Sequence, residues 1–305
     1  MQQRPSTQLR ERLAEDGMLI KPSAFNALSA RLIEQAGFEV MGLSGAAVSA
    51  SLLGKPDVGL VTLDEMVAVA RYITGVTSVP LLADGGVGFG NAINTMRATE
   101  GFVRAGAAGI DISDRTGPGR YGDGRQTISL EEAVGKIRAC AKVRDELDPD
   151  FLIVARTQAG VGLDEAIRRG NGYLAAGADM ILPDGLGSEA EIAEACRRID
   201  GPVCHERTGA SPAPSNARLA ELGLAMVGNP MGALGAAARA MADYMDDFAR
   251  EDAAFLIRFL DQGKDHPTGD LHGFVGFSEI RKLEEEFLPA DETAARYDGS
   301  IGYTP

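Results

Sequence analysis

Eight times along its length this chain passes from a short, β-rich apolar run into polar or helix-patterned sequence. The runs are Met18–Ile20, Phe38–Leu43, Val79–Ala83, Gly109–Ile112, Phe151–Ala155, Met180–Leu182, Pro202–His205 and Ala225–Val227. Apolar residues at helical spacing predict helices over Ala24–Ala36, Leu63–Ile73, Ala92–Ala105, Leu130–Glu146, Asp164–Ala176, Glu189–Arg198 and Ala233–Ala249. Local signals agree. Thr62 is placed to cap one helix, Ser129 and Glu132 form a capping-box pattern at another, and Gly177 stops a third. Strands separated by helices pair in parallel, and eight such units are what a closed barrel requires. The expected fold is α/β, a (β/α)8 TIM barrel over residues 1–250. Residues 251–305 are surplus to the barrel. A helix is predicted there over Ile280–Phe287, and the extension is expected to pack on a neighbouring subunit.

Composition narrows the function. Asp plus Glu number 44 against 30 for Lys plus Arg, a formal net charge of -14. Such a surface disfavours non-specific binding to nucleic acid or anionic membrane. No apolar run approaches the roughly 20 residues of a membrane span. The N-terminal MQQRPSTQLRERLAEDG lacks the apolar core of a signal peptide. The expected location is cytoplasmic. Cys140, Cys196 and Cys204 have no CxxC spacing and read as reduced thiols, not as a zinc site or a disulfide framework. The glycines of GVGFG, Gly86 to Gly90, lack GxGxxG spacing and follow the third strand, which argues against a dinucleotide turn.

Chemistry in such a barrel sits just past the carboxyl ends of the strands. The polar residues there are Ser44 and Gly45, Asp84, Ser113 and Asp114, Arg156, Asp184, the run His205-Glu206-Arg207, and Asn229. Any one alone reads equally well as a loop polar or a helix cap. The signal is the recurrence of carboxylates and arginines at one end of successive strands. Asp84 and Asp57 offer oxygen ligands to Mg²⁺, directly or through water. A metal with Arg156 would stabilise an enolate developing on a 2-oxo acid. Backbone N–H groups around Ser44, Gly45 and Ala46 would bind a substrate carboxylate. The glycine-rich run SDRTGPGRYGDGRQT is too long for an ordinary turn and suits a lid. His205 and Glu206 read either as an acid–base pair or as a structural cluster at the rim. His266 and His272 read as surface histidines.

The segments PSAFNALSARLIEQAGFEVMGLSG, LGKPDVGLVTLDEM, PLLADGGVGFGN, GAAGIDISD, EEAVGKIRA and DPDFLIVART together resemble the isocitrate lyase/phosphoenolpyruvate mutase superfamily. The likeness runs from about Pro22 to Asp184 and continues more weakly to GFVGFSEIRKLEEEFLP. It implies a barrel whose last helix is swapped between subunits, usually in dimers of dimers. It also implies Mg²⁺ and a small carboxylate substrate cleaved or formed through a pyruvate-type enolate. By the resemblance, Ser44 and Gly45 match the carboxylate-binding turn and Asp57 the PD aspartate. Asp84 matches the first aspartate of the DAD metal motif and Arg156 the ART arginine.

The departures cluster at the metal and the lid. The second metal-motif aspartate is Gly86, the glutamate of the IED triplet is Ser113, and the glutamate after strand six is Asp184. ARTDA reads ARTQA, with Gln158. Asp111 is expected to point to the opposite face from Ser113 and not to replace the missing acid. Binding of Mg²⁺ that is weakened, water-mediated or lost is compatible with what remains. In place of a KKCGH-type lid run stands GRYGD, with Tyr121 at the cysteine position and Asp123 at the histidine position. Tyr121 reads either as a general acid or as a packing residue over the site.

The resemblance implies a lyase acting on a C–C bond of a 2-hydroxy or 2-oxo carboxylic acid. Oxaloacetate-type decarboxylation competes with it, since it needs no cysteine acid. Phosphonate mutase or hydrolase chemistry is disfavoured by a lid without the lysine–asparagine pattern. A divergent member that binds a carboxylate without turnover is the reading from another class.

Overall fold

In the computed structural model, which describes residues 3–117, 126–208 and 214–289, eight parallel strands form the expected barrel. They are β1 (Leu19–Ala24), β2 (Met41–Leu43), β3 (Leu81–Asp84), β4 (Gly109–Ser113), β5 (Leu152–Gln158), β6 (Met180–Asp184), β7 (Cys204–Glu206) and β8 (Met226–Asn229). The hydrogen-bonded order is β6-β5-β4-β3-β2-β1-β8-β7. A parallel bridge between Ile181 and Val203 brings β6 to the start of β7 and completes the ring. Around it run α1 (Pro5–Ala14), α2 (Ala27–Gln35), α3 (Gly45–Val48), α4 (Leu63–Thr74), α5 (Ala92–Arg104), α6 (Leu130–Leu147), α7 (Leu163–Ala175), α8 (Glu189–Arg198), α9 (Asn216–Glu221) and α10 (Gly232–Arg250).

Most strands run further toward their carboxyl ends than their apolar runs indicate. β1 is the clearest case. It continues through Ala24, and α2 starts only at Ala27, after Asn26 accepts the Ser29 N–H at 2.8 Å. Lys21 and Ser23 end the apolar run, yet Lys21 still pairs with Gly228 and Ser23 with Gly42. At Thr62 the full capping box forms with Glu65. At Ser129 the hydroxyl accepts from the Glu132 N–H, without the return bond.

Alternation sorts the strand residues into two cores. Outward positions such as Met41, Leu81, Ile110, Ile153 and Ile181 pack beneath the helices. Inward positions such as Val40, Leu82, Leu152, Val154, Met180 and Met226 fill the amino-terminal half of the barrel, where Leu9 of α1 is fully buried among them. Both faces of the strands are therefore apolar, as expected for a buried parallel sheet. Each such side chain contributes about 1.5–3 kcal/mol by its burial. Cys140 and Cys204 are buried and Cys196 half-buried, all as free thiols. Burial pushes the Cys140 thiol up to about 11. Among the described residues no helix is long and apolar enough to cross a membrane.

The chain forms two compact units that divide between Ala237 and Ala238, within α10. The second unit holds α11 (Ala253–Gly263), α12 (Leu271–Phe274) and α13 (Phe277–Phe287). α11 lies in a stretch for which no helix was predicted. Tyr244, Phe255 and Phe259 form an aromatic cluster here, with the Tyr244 and Phe259 ring centroids 4.8 Å apart. Ile280, Leu283 and Phe287 share one face of α13 and are exposed.

Candidate active site at the carboxyl end of the barrel

Along six strands the inward side chain changes from apolar or small to charged within two residues. Leu19 gives way to Lys21, Leu82 to Asp84, Gly109 to Asp111, Val154 to Arg156, Leu182 to Asp184 and Cys204 to Glu206. Strand alternation puts each pair on one face, so the charged residues form a layer above the apolar one. Two adjoining cavities lie at this end, an inner cup of about 80 Å³ and a larger one of about 590 Å³. Asp57, Asp84, Arg115 and Arg156 line both.

Arg156 stands at the centre. Its Nη2 donates to Asp84 Oδ1 at 3.1 Å, and its Nε lies 3.1 Å from Asp111 Oδ1. Burial opposes the Arg156 charge, but Asp111, Asp84, Asp184 and Glu206 outweigh it and hold the guanidinium firmly protonated. Burial alone would raise Asp84. Arg156 and the N–H groups of Gly86 (2.9 Å) and Gly45 (3.1 Å) reverse that and hold it below the usual carboxylate range. Gly45 lets the backbone approach closely, since a Cβ there would stand 3.0 Å from Asp84 Oδ2 and crowd the carboxylate.

Asp111 behaves differently. Burial is the largest influence, Arg156 only partly offsets it, and Asp84 and Glu206 add repulsion, so its pKa is pushed up to about 7. Its Oδ1 is buried without a hydrogen bond of good geometry. The expectation that Asp111 turns away from Ser113 is corrected here. Residues two apart on a strand share a face, and Asp111 lines the inner cup.

Two further ion pairs line the cup. Lys21 Nζ is 2.6 Å from Glu206 Oε1, and Arg115 Nη2 is 3.1 Å from Asp184 Oδ2. Of the residues singled out from sequence, Ser44, Ala46, Asp57, Asp84, Arg156, Asp184 and Glu206 line the inner cup, and Gly45 lines the larger cavity. Gly45 and Ser44 do not present a bare anion turn. The Gly45 N–H goes to Asp84, and the Ser44 hydroxyl caps α3 through the Ala47 N–H. His205 does not join the site. It alternates outward between Cys204 and Glu206, is buried, and lines neither cavity. Burial holds its imidazole below the ordinary value despite Glu206 and Asp184. Tyr121 and Asp123 lie outside the described residues.

Sequence reasoning missed Lys21, Arg115 and Lys136. The signal for Lys21 was its spacing, two residues beyond Leu19 on the inward face. Lys136 is a buried α6 lysine whose Nζ donates to the Val87 carbonyl at 2.9 Å, tying down the glycine-rich loop after β3. Gly88 of that loop has φ 84°, and a Cβ there would meet Thr95 Oγ1 at 2.2 Å. Asp114 is held away from the mouth by Thr157, Tyr173 and Arg169 in a buried network.

The sequence matches the family described as phosphoenolpyruvate phosphomutase over residues 9–249. It is 34% identical over 293 residues to a 2,3-dimethylmalate lyase of Eubacterium barkeri, covering 92% of this chain and 98% of that one. It is 35% identical over 305 residues to a 2-methylisocitrate lyase of Aeropyrum pernix, covering 98% and 96%. A solved structure of phosphonopyruvate hydrolase in complex with oxalate and Mg²⁺ superposes with a TM-score of 0.81 at 30% identity, covering 94% of this chain and all of that one. The chain belongs to the isocitrate lyase/phosphoenolpyruvate mutase superfamily. It is an enzyme of that superfamily's carbon–carbon lyase type, whose members act on pyruvate-type substrates.

Members of the family use Mg²⁺, as in the oxalate complex of phosphonopyruvate hydrolase. Among the described residues, no group of three or more His, Cys, Asp or Glu converges as a metal shell. Positions 86 and 113 carry glycine and serine. Asp84 already accepts from Arg156, Gly86 and Gly45. Glu206 and Asp184 are each paired with a cation. Asp57 and Asp84 line the cup with no third carboxylate converging on them, a donor set that does not fit a Mg²⁺ enclosed by protein ligands alone.

Proposed function

We propose that this enzyme cleaves, or in reverse forms, a C–C bond of a 2-hydroxy or 2-oxo carboxylic acid through a pyruvate-type oxyanion held against Arg156. The observation that supports this most directly is the setting of Arg156. Its Nη2 and Nε are turned to Asp84 and Asp111, while Nη1 has no hydrogen-bond partner among the described residues. A buried, fixed cation with an unused donor beside a cup of about 80 Å³ is suited to an oxyanion on a small acid.

Asp111 is the base in this reading. For a 2-hydroxy acid it takes the hydroxyl proton. The C2–O bond becomes a carbonyl, the C2–C3 electron pair leaves with C3, and C3 then takes a proton. Tyr121 and Asp123 are the sequence's candidates for that last donor. For a 2-oxo diacid the pair released by loss of CO₂ becomes the enolate whose oxygen rests on Arg156, and the same protonation at C3 follows. Both routes yield a 2-oxo acid. Arg156 and Asp84 fix the geometry, and Ser44, Gly45, Ala46, Asp57, Asp184 and Glu206 complete the substrate enclosure.

The test is 2-oxo acid release across alkylmalates, methylisocitrate, oxaloacetate and phosphonopyruvate. Turnover of a 2-hydroxy acid supports the lyase. Turnover of oxaloacetate alone moves the assignment to decarboxylation, and of phosphonopyruvate alone to phosphonate chemistry. No release from any member leaves a carboxylate-binding protein and sinks the proposal. The exposed apolar face of α13 suits a homodimer or homotetramer in the cytoplasm, which sedimentation of the protein with Ile280→Asp and Leu283→Asp would test.

A further inference from the structure

The Lys21–Glu206 ion pair has no counterpart in the chemistry proposed above. Its side chains are only 8% and 12% exposed, inside the barrel. Burying two charges costs several kcal/mol per ion before their attraction is counted, so such a pair is weak as a stability device. The barrel is nonetheless shaped around it. Lys21 is in register with Gly228, where a Cβ would stand 2.1 Å from Glu206 Oε2. On the other side of β1, a Cβ at Gly42 would stand 2.7 Å from Ser23 Oγ and 3.6 Å from Lys21 Nζ. Glycines on both neighbouring strands thus leave room for these side chains.

An ammonium has three N–H donors, and Glu206 takes one. Lys21 lines the inner cup together with Arg156, Asp84 and Asp111. The cup therefore carries Lys21 on β1 and Arg156 on β5, facing each other across the eight-stranded ring, with Arg115 beside them. Positions 86 and 113 offer no carboxylate to a divalent ion, and Asp84 is already paired with Arg156.

We infer that Lys21 is a catalytic residue whose ammonium, with Arg156, bears the charge of the C2 oxyanion, so that the reaction needs no divalent metal. Glu206 positions it. The inference rests on the oxyanion site proposed above and replaces only the source of positive charge. Its substrate head is a 2-oxo or 2-hydroxy carboxylate whose carboxylate and C2 oxygen face two nitrogen cations.

Oxalate, a planar dianion shaped like the pyruvate enolate, is the probe. Calorimetry on the full chain compares EDTA with excess Mg²⁺, for wild type, Lys21→Met and the neutral pair Lys21→Met/Glu206→Gln. The pair covers the case in which the single variant, with Glu206 deprived of the Lys21 ammonium, does not fold. Binding in EDTA that Mg²⁺ changes less than about twofold, and that both folded variants weaken roughly 10- to 100-fold, is the expected result. Oxalate binding that requires Mg²⁺ overturns the inference while leaving the oxyanion site standing. Unchanged binding in a folded variant overturns the role of Lys21 alone. No binding under either condition overturns both.

Discussion

The two halves of the barrel interior are built by the same strands and obey opposite rules. In the amino-terminal half, Leu82, Val154, Met180 and Met226 close around Leu9 and exclude water. Two residues further along, the strands present Asp84, Arg156, Asp184 and their neighbours, each buried or half-buried. The first half supplies stability by the burial of apolar surface. The second must cost stability, because its charges are removed from water and only partly repaid by pairing. A fold keeps such a layer at the end where its loops converge because fixed charges in a shielded cup act strongly on a developing oxyanion. The difference predicts that substitutions in the two halves separate cleanly into kinetic and thermodynamic effects.

The largest effect is expected at Arg156. Arg156→Ala removes the oxyanion partner and leaves Asp84 and Asp111 repelling one another. A fall of about 10³-fold in kcat/KM is expected, the scale for a lost oxyanion donor. Arg156→Lys should recover little, since one ammonium cannot hold Asp84 and Asp111 and leave a directed donor. Steady-state 2-oxo acid release measures both, and a variant with unchanged kcat/KM would remove Arg156 from the chemistry.

Asp111 tests the comparison from within, since it combines cost and function in one side chain. Asp111→Asn should lower kcat/KM by about 10²-fold, the scale of a lost general base. In wild type, kcat/KM should rise through about pH 7 as Asp111 ionises among Arg156, Lys21, Asp84 and Glu206. The stability effect has the opposite sign. The folded pKa is raised above the unfolded one, so the contribution is fully present at acid pH and lost as pH rises toward about 7. The Tm of Asp111→Asn relative to wild type should therefore climb between acid pH and pH 8. A flat difference in thermal melts would show that Asp111 is not buried as a charge.

These cases also show what was legible in the sequence. Arg156 and Asp84 were, because each ends an apolar run and matches a motif. The barrel was, because eight short runs between helices leave few other architectures. Lys21 was not, since it reads as the end of a strand that in fact continues, and its spacing from Leu19 becomes informative only once the pairing with Gly228 extends β1. Asp111 was misplaced by an error in counting alternation. α11 was legible but not read: Asp252 caps it by accepting the Ala254 N–H, and the apolar residues that follow lie in a stretch surplus to the barrel. Arg115 lies in a loop, where neither periodicity sets direction.

In the apolar half the expected effects are thermodynamic. Leu152→Ala, at a position that lines neither cavity, leaves a hole in the apolar layer and should cost about 2–5 kcal/mol, read from denaturant unfolding. The kcat/KM of the folded fraction should stay within about twofold of wild type. A kinetic loss comparable to that at Asp111 would mean that the two layers are mechanically coupled and that the division between them is false.

The smallest kinetic effect is expected at His205, and β7 makes it the sharpest internal control. His205 and Glu206 are adjacent, but one points outward beneath the helices and the other into the cup. His205→Asn should leave kcat/KM within about twofold of wild type at neutral pH, whereas Glu206→Gln should not. The folded imidazole sits below its ordinary value because of burial, so the unfolded chain takes up a proton more readily. Wild type should lose stability as pH falls through the ordinary histidine range, and His205→Asn should lose less. Melts at pH 7 and pH 5 read that difference. If His205→Asn instead abolishes turnover while its melting curve is unchanged, the outward face of the strand carries chemistry, and the inward charged layer is not the whole active site.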